Sequence, residues 1–252
     1  MQGLTPVVIV NKGLESIALA LGPAPDPRTF KTPDERKEAY ICWAVNYYVY
    51  SVIAHIRTVL RGLILLADSR NIPTAIVVCR HLFEWAAQVC YMNENLQKHI
   101  AARDWDAARD LLNQAVIGSK WLKEHGHKYA PTQATAEIPD TIRLKKALAS
   151  YEVHLKQVYG IDGKDDYGHL SEHSHPNSAC FQQYHDSDVP GGDVQFVEPA
   201  TGSPLPVANW CLIDLTTLIL SLLRLSGEKT VRPQVKAIAT ELAGLASGKQ
   251  RR

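Results

Sequence analysis

Apolar residues recur at steps of three and four through most of this chain, and that period predicts helices rather than strands. The clearest run is Ile41, Val45, Tyr48, Val52, Ile56, Val59, Leu63 and Leu66, which draws one apolar stripe as far as Asp68. Such a helix is about 50 Å long at 1.5 Å per residue. Its start is marked by Thr32-Pro33-Asp34-Glu35, with Thr as N-cap, Pro at the first helical position and Glu three residues after the cap. Arg57 and Arg61 lie one turn apart at its side. After a turn at Ser69–Pro73, the segment Thr74–Met92 is apolar nearly all round, the pattern of an interior helix. Arg80, Glu84 and Gln88 make a polar ladder along it.

A second strongly apolar segment, Pro206–Leu225, approaches the length of a membrane span but carries Asp214, Thr216, Thr217 and Ser221. It reads as a central buried helix, stopped by Gly227. These two segments should form the centre of the fold, with Leu82, Phe83, Trp85, Leu212, Leu215, Ile219 and Leu222 in the core. Amphipathic helices are predicted over Asp104–Glu124, with Asp104 as cap and Gly126 as stop, over Asp140–Tyr159, closed by Gly160, and over Val231–Ala246. Turn chemistry at Asp186–Asp193 between the extended runs Cys180–His185 and Val194–Val197 predicts a small β-hairpin near 180–198. Residues 1–31 read as an N-terminal arm, with a strand at Val7–Val10, a short helix at Leu14–Leu21 and then the irregular Gly22–Pro27. The expected fold is all-α: a bundle of about seven helices in one domain, 32–247, with the inserted hairpin and a basic tail at 248–252. The long helix and the arm together predict a homodimer.

Composition narrows the function. Lys and Arg number 27 against 26 acidic residues, for a net charge of +1. No global field therefore recruits nucleic acid or an anionic membrane, although a local basic cleft remains open to RNA. The five cysteines are odd in number, lack a CxxC pair and sit mostly in apolar surroundings, as free thiols do in a reduced compartment. A cytoplasmic protein without membrane association is expected. Neither a Gly-rich phosphate loop nor a GxSxG elbow occurs, so triphosphate hydrolysis and serine-hydrolase chemistry lack support.

Reactive groups concentrate in Tyr167-Gly168-His169-Leu170-Ser171-Glu172-His173-Ser174-His175-Pro176-Asn177, which holds three of the ten histidines. Acidic residues before it can cap a short helix, and Pro176 ends it. Helical spacing places Tyr167, Leu170, Ser171, Ser174 and His175 on one face and His169, Glu172 and His173 toward another. On the first face, His175 could serve as general acid or base while Arg80 holds a phosphate in its fork, with Tyr167 and Ser171 as orienting groups; such a site could cleave RNA by activating a 2′-hydroxyl. The alternative is that Arg80 and Glu84 are a structural ion pair. On the second face, His169, Glu172 and His173 match HxxEH, two zinc ligands and a base, the reading of a metal-dependent hydrolase, although a third protein ligand is needed to close a site.

The Arg-x-x-x-Glu of Arg80 and Glu84, combined with a later Tyr-x-x-Leu-Ser-x-x-x-His-Pro-Asn (Tyr167, Leu170, Ser171, His175, Pro176 and Asn177), resembles a bacterial group catalogued as a domain of unknown function. The resemblance covers roughly residues 35–226. That group's helical architecture is similar to the HEPN class, found in toxins and phage-defence systems, many of them metal-independent ribonucleases. The resemblance implies a HEPN-like bundle, with Arg80, Glu84, Tyr167, Ser171, His175 and Asn177 as site residues. The HEPN signature, an Arg followed four to six residues later by His on one helix, does not occur at His175. Ribonuclease chemistry therefore requires Arg80 to meet His175 in space. The Tyr167–His175 helix should pack on the helix of Arg80 and Glu84, with Ser171 or His175 within hydrogen-bond reach of that pair.

Overall fold

The computed structural model describes residues 5–21, 32–69, 71–116, 118, 141–174, 205–227 and 232–246. Among the described residues there are eight helices and no strand: α1 (Thr5–Ala20), α2 (Pro33–Asp68), α3 (Ile72–Ala101), α4 (Trp105–Val116), α5 (Leu144–Tyr159), α6 (Gly163–Ser174), α7 (Leu205–Ser226) and α8 (Arg232–Ala246). The all-α bundle is as expected. The predicted hairpin and the basic tail lie outside the described residues.

Several helix ends follow directly from local chemistry. At the start of α2 the Thr32 N–H donates to Glu35 Oε2 at 3.1 Å, and the Glu35 N–H donates to Thr32 Oγ1 at 3.2 Å. This reciprocal pair is the capping box read from the sequence. Asn71 caps α3 by accepting from the Thr74 N–H at 3.2 Å. Asp104 does the same for α4 through the Ala107 N–H at 3.1 Å. Gly160 closes α5 and Gly227 follows α7, both in the left-handed region at φ 70° and 63°, where a Cβ is unfavourable.

Several boundaries differ from expectation: α4 ends at Val116, short of the expected Glu124, and α5 begins at Leu144 rather than Asp140. The strand predicted at Val7–Val10 is instead part of α1. Its β-branched run suits either state, but Val10, Leu14 and Ile17 recur at helical spacing and are fully buried, since α1 packs on α2, α7 and α8. Helix α3 extends past Met92 to Ala101, because Leu96 and Ile100 continue its packed face. Helix α6 begins at Gly163, before the acidic pair, with Asp162 Oδ1 accepting from the Lys164 N–H at 3.2 Å.

The core lies where expected. Helices α3 and α7 pack most extensively on one another, and Leu82, Phe83, Leu212, Leu215, Ile219 and Leu222 are buried, with Trp85 half-buried against them. The polar residues of α7 are satisfied inside. Tyr151 of α5, fully buried, donates to Asp214 Oδ1 at 2.7 Å, and Thr217 Oγ1 donates to the Tyr159 hydroxyl at 3.3 Å. Helix α2 is long and apolar enough to cross a bilayer by length and composition. Here its stripe from Ile41 to Leu63 is buried in the bundle, while Trp43, Tyr47 and Tyr50 form an exposed aromatic row on its other side.

Candidate functional site

Helix α6 packs on both α3 and α5, with Leu170 as its buried anchor. The close approach has a local cause. A Cβ on Gly163 would lie 2.6 Å from Leu155 Cδ1, and Leu155 is buried, so glycine lets the first turn of α6 settle on α5 without displacing that side chain. One turn later Tyr167 meets α3, its ring 5.5 Å from that of Phe83.

At this seam Arg80, Glu84 and Tyr167 close a ring of hydrogen bonds. Arg80 Nε donates to Glu84 Oε1 at 3.1 Å, Arg80 Nη2 donates to the Tyr167 hydroxyl at 3.3 Å, and that hydroxyl donates to Glu84 Oε1 at 3.0 Å. The guanidinium also lies against the Tyr167 ring, 5.5 Å from its centroid. Burial works against the Arg80 charge, but the Tyr167 hydroxyl and the Glu84 carboxylate outweigh it and raise its pKa further. For Tyr167, burial is the largest influence and pushes its pKa up, so the phenol keeps its proton at neutral pH and donates it to Glu84. The side chains of Arg80 and Glu84 are each 22 % exposed, so this is a half-open pair rather than the fully interior one expected.

The expected packing of the motif helix on α3 is present, and among the described residues it is Tyr167 that bonds to the pair. Ser171, four residues on, faces a cleft of 660 Å³ between α5 and α6, lined among others by Lys145, Lys164, Glu152, Glu172 and Tyr167 itself. Tyr167 therefore joins the Arg80–Glu84 pair to a cleft that holds two lysines and two glutamates. His175 and Asn177, and the side chains of His169 and His173, lie outside the described residues, and the HxxEH zinc expectation lies outside them too.

A second polar group on α3 was not anticipated. His81 follows Arg80 but is turned about 100° around the helix, toward α2. There His55 Nε2 and His81 Nε2 are 2.9 Å apart, and Trp85 Nε1 donates to the same His81 nitrogen at 3.0 Å. An indole N–H can only donate, so His81 Nε2 is the acceptor and His55 Nε2 carries a proton. Burial, and then the neighbouring His81, hold the His55 pKa below its ordinary value. The i,i+4 spacing of His81 and Trp85 was visible in the sequence; the third member comes from another helix and had no local signal.

No family model matches the chain, and neither a curated protein nor a solved structure is found that resembles it. The geometry alone therefore carries the functional reading.

Proposed function

We propose that this chain is a HEPN-like helical protein that acts on RNA, as a metal-independent ribonuclease or a toxin or defence component, with Arg80 as its phosphate-holding group. The observation that carries the reading is the position of Tyr167, shared between the oriented Arg80–Glu84 pair and the Lys145 and Lys164 cleft. Arg80 is permanently charged and half-exposed, and its fork is held in a set orientation, as recognition of a phosphate requires. Lys145 and Lys164 would extend that recognition along a sugar-phosphate backbone, and Tyr167 offers an aromatic face beside them. His175, directly after α6 in the sequence, would supply the general acid or base, with Ser171 and Asn177 as polar neighbours of the substrate. Cleavage would proceed by attack of the 2′-hydroxyl on the adjacent phosphorus, with departure of the 5′-oxygen.

The test is binding of a labelled single-stranded RNA as a function of salt. Lys145→Ala and Lys164→Ala should each weaken binding alike for all sequences and lower the slope of log K against log salt by roughly one. An unchanged slope in both variants would remove the cleft from the account.

One observation favours a second reading, a non-catalytic helical binding module. The ring of Arg80, Glu84 and Tyr167 is closed upon itself, as a strap between helices would be. In that case His175→Ala changes no activity, and substitutions in the ring act on stability alone.

A further inference from the structure

Away from that seam, α3 and α5 bring together a thiol, a carboxylate and an imidazole. Cys90 and Glu94 are one turn apart on α3, with Cys90 Sγ 3.6 Å from Glu94 Oε1. His154 on α5 places Nδ1 3.7 Å from the same oxygen, and one ligand atom from each of the three residues lies within 4.8 Å of the other two. Among the described residues they are the only such group of three.

We propose that Cys90, Glu94 and His154 bind one divalent transition ion of borderline softness, zinc above all, as a clamp between α3 and α5. The donor set mixes S, O and N, which suits zinc and its close analogues rather than magnesium or calcium. Two of its edges are close to those of a loaded site. With metal–sulfur bonds of about 2.3 Å and metal–nitrogen or –oxygen bonds of about 2.0–2.1 Å, ligand atoms at two corners of a tetrahedron lie about 3.3–3.6 Å apart. The Cys90–Glu94 edge meets that value, and the His154–Glu94 edge is within a few tenths of it.

The surroundings hold the ligands in place. Ser150, one turn before His154, donates to Glu94 Oε2 at 2.8 Å, which leaves Oε1 directed at the thiol and the imidazole. Such a second hydrogen bond to a ligating carboxylate is what orients it for a metal. The rings of Tyr151 and Tyr159 flank His154 at 6.2 and 6.3 Å between centroids. Cys90 is buried, whereas the side chains of His154 and Glu94 are 19 % and 35 % exposed, so an ion can enter from the solvent side and keep a water as its fourth ligand.

On binding, the Cys90 proton leaves to solvent and the thiolate forms the metal bond. Thiolate and carboxylate together balance the two positive charges of the ion. The exposed Arg224 of α7 favours loss of the proton from both Cys90 and His154, the forms in which thiol and imidazole bind a metal. Glu94 lies about 15 Å along α3 from Glu84 at 1.5 Å per residue, so the clamp is separate from the Arg80 ring.

The experiment is titration of the metal-free full chain with Co²⁺, followed by absorption. One equivalent should produce a near-ultraviolet thiolate-to-cobalt band together with visible bands of tetrahedral cobalt, and zinc should remove both. Cys90→Ser should abolish the near-ultraviolet band, and His154→Gln should weaken binding at least tenfold. The HxxEH histidines contain no sulfur and cannot give the thiolate band. X-ray absorption of the zinc-loaded unaltered chain, which needs no variant to fold, should show one sulfur at about 2.3 Å with nitrogen or oxygen at about 2.0 Å. The proposal is overturned by the lack of a thiolate band at millimolar Co²⁺, by a band that persists in Cys90→Ser, by unchanged or tighter binding in His154→Gln, or by a zinc spectrum without sulfur.

Discussion

Tyr167→Phe removes one oxygen from the seam between α3 and α6 and leaves the ring that packs on Phe83 and Arg80. Two hydrogen bonds go with it. The bond to Glu84 at 3.0 Å has a charged acceptor, and the bond from Arg80 at 3.3 Å is longer and weaker. A hydrogen bond to a charged group contributes roughly 1.5–3 kcal/mol when its loss leaves that group buried. Here water reaches both partners, each 22 % exposed, and can replace part of what is lost. The expected cost is about 1–2 kcal/mol, or roughly 3–6 °C in Tm for a chain of this size. Urea and thermal denaturation of Tyr167→Phe, Glu84→Gln and the double variant would measure it. The cycle should return a coupling of about 1 kcal/mol between the two sites. Strict additivity, or a change under about 0.3 kcal/mol for Tyr167→Phe, would refute the ring as a physical unit.

Tyr151→Phe is expected to cost more, about 2–4 kcal/mol, because the buried Asp214 loses a 2.7 Å donor in the interior; a urea midpoint within error of the parent would contradict that. His55 and His154 both have pKa values held below the ordinary histidine value, chiefly by burial. The unfolded chain therefore binds these protons first, so stability is full above about pH 6.5 and falls as pH drops toward the folded pKa values. Tm should decline from pH 7 to pH 5.5, and His55→Gln should flatten the decline; a Tm that is constant or rises over that range would be inconsistent with it. If the homodimer expected from the long helix forms, light scattering should give about 56 kDa, twice the 28.0 kDa chain, and a value near 28 kDa at micromolar concentration would argue against it.

The features legible in the sequence were those with a local cause. Thr32 and Glu35 announce the start of α2 because both halves of the capping box lie within one turn, and Gly160 announces the end of α5 because few other residues take its backbone angles. Val7–Val10 misled for the converse reason: a β-branched run is compatible with either state, and only burial of Val10, Leu14 and Ile17 against neighbouring helices selects the helix. At the seam, the demand of Arg80 and Glu84 for further oxygen partners was readable from their donors and acceptors. Which residue of the motif helix supplies one depends on the rotation of α6, set by Leu170 and Gly163, and that rotation presents Tyr167 to α3 while Ser171 lines the cleft. The His55–His81–Trp85 group and the Cys90–Glu94–His154 group each join residues of separate helices, a juxtaposition that helical periodicity alone does not encode.

The proposed joint action of Arg80 and His175 on RNA is tested by cleavage of single-stranded RNA in the presence of EDTA with identification of the new ends. The account predicts products ending in 2′,3′-cyclic phosphate and 5′-hydroxyl, a loss of about 10²-fold or more in rate for Arg80→Lys and for His175→Ala, and a Tm for His175→Ala close to that of the parent. Cleavage that proceeds unchanged in both variants, or a parent chain that leaves RNA intact while Arg80→Lys lowers only the melting temperature, would contradict it.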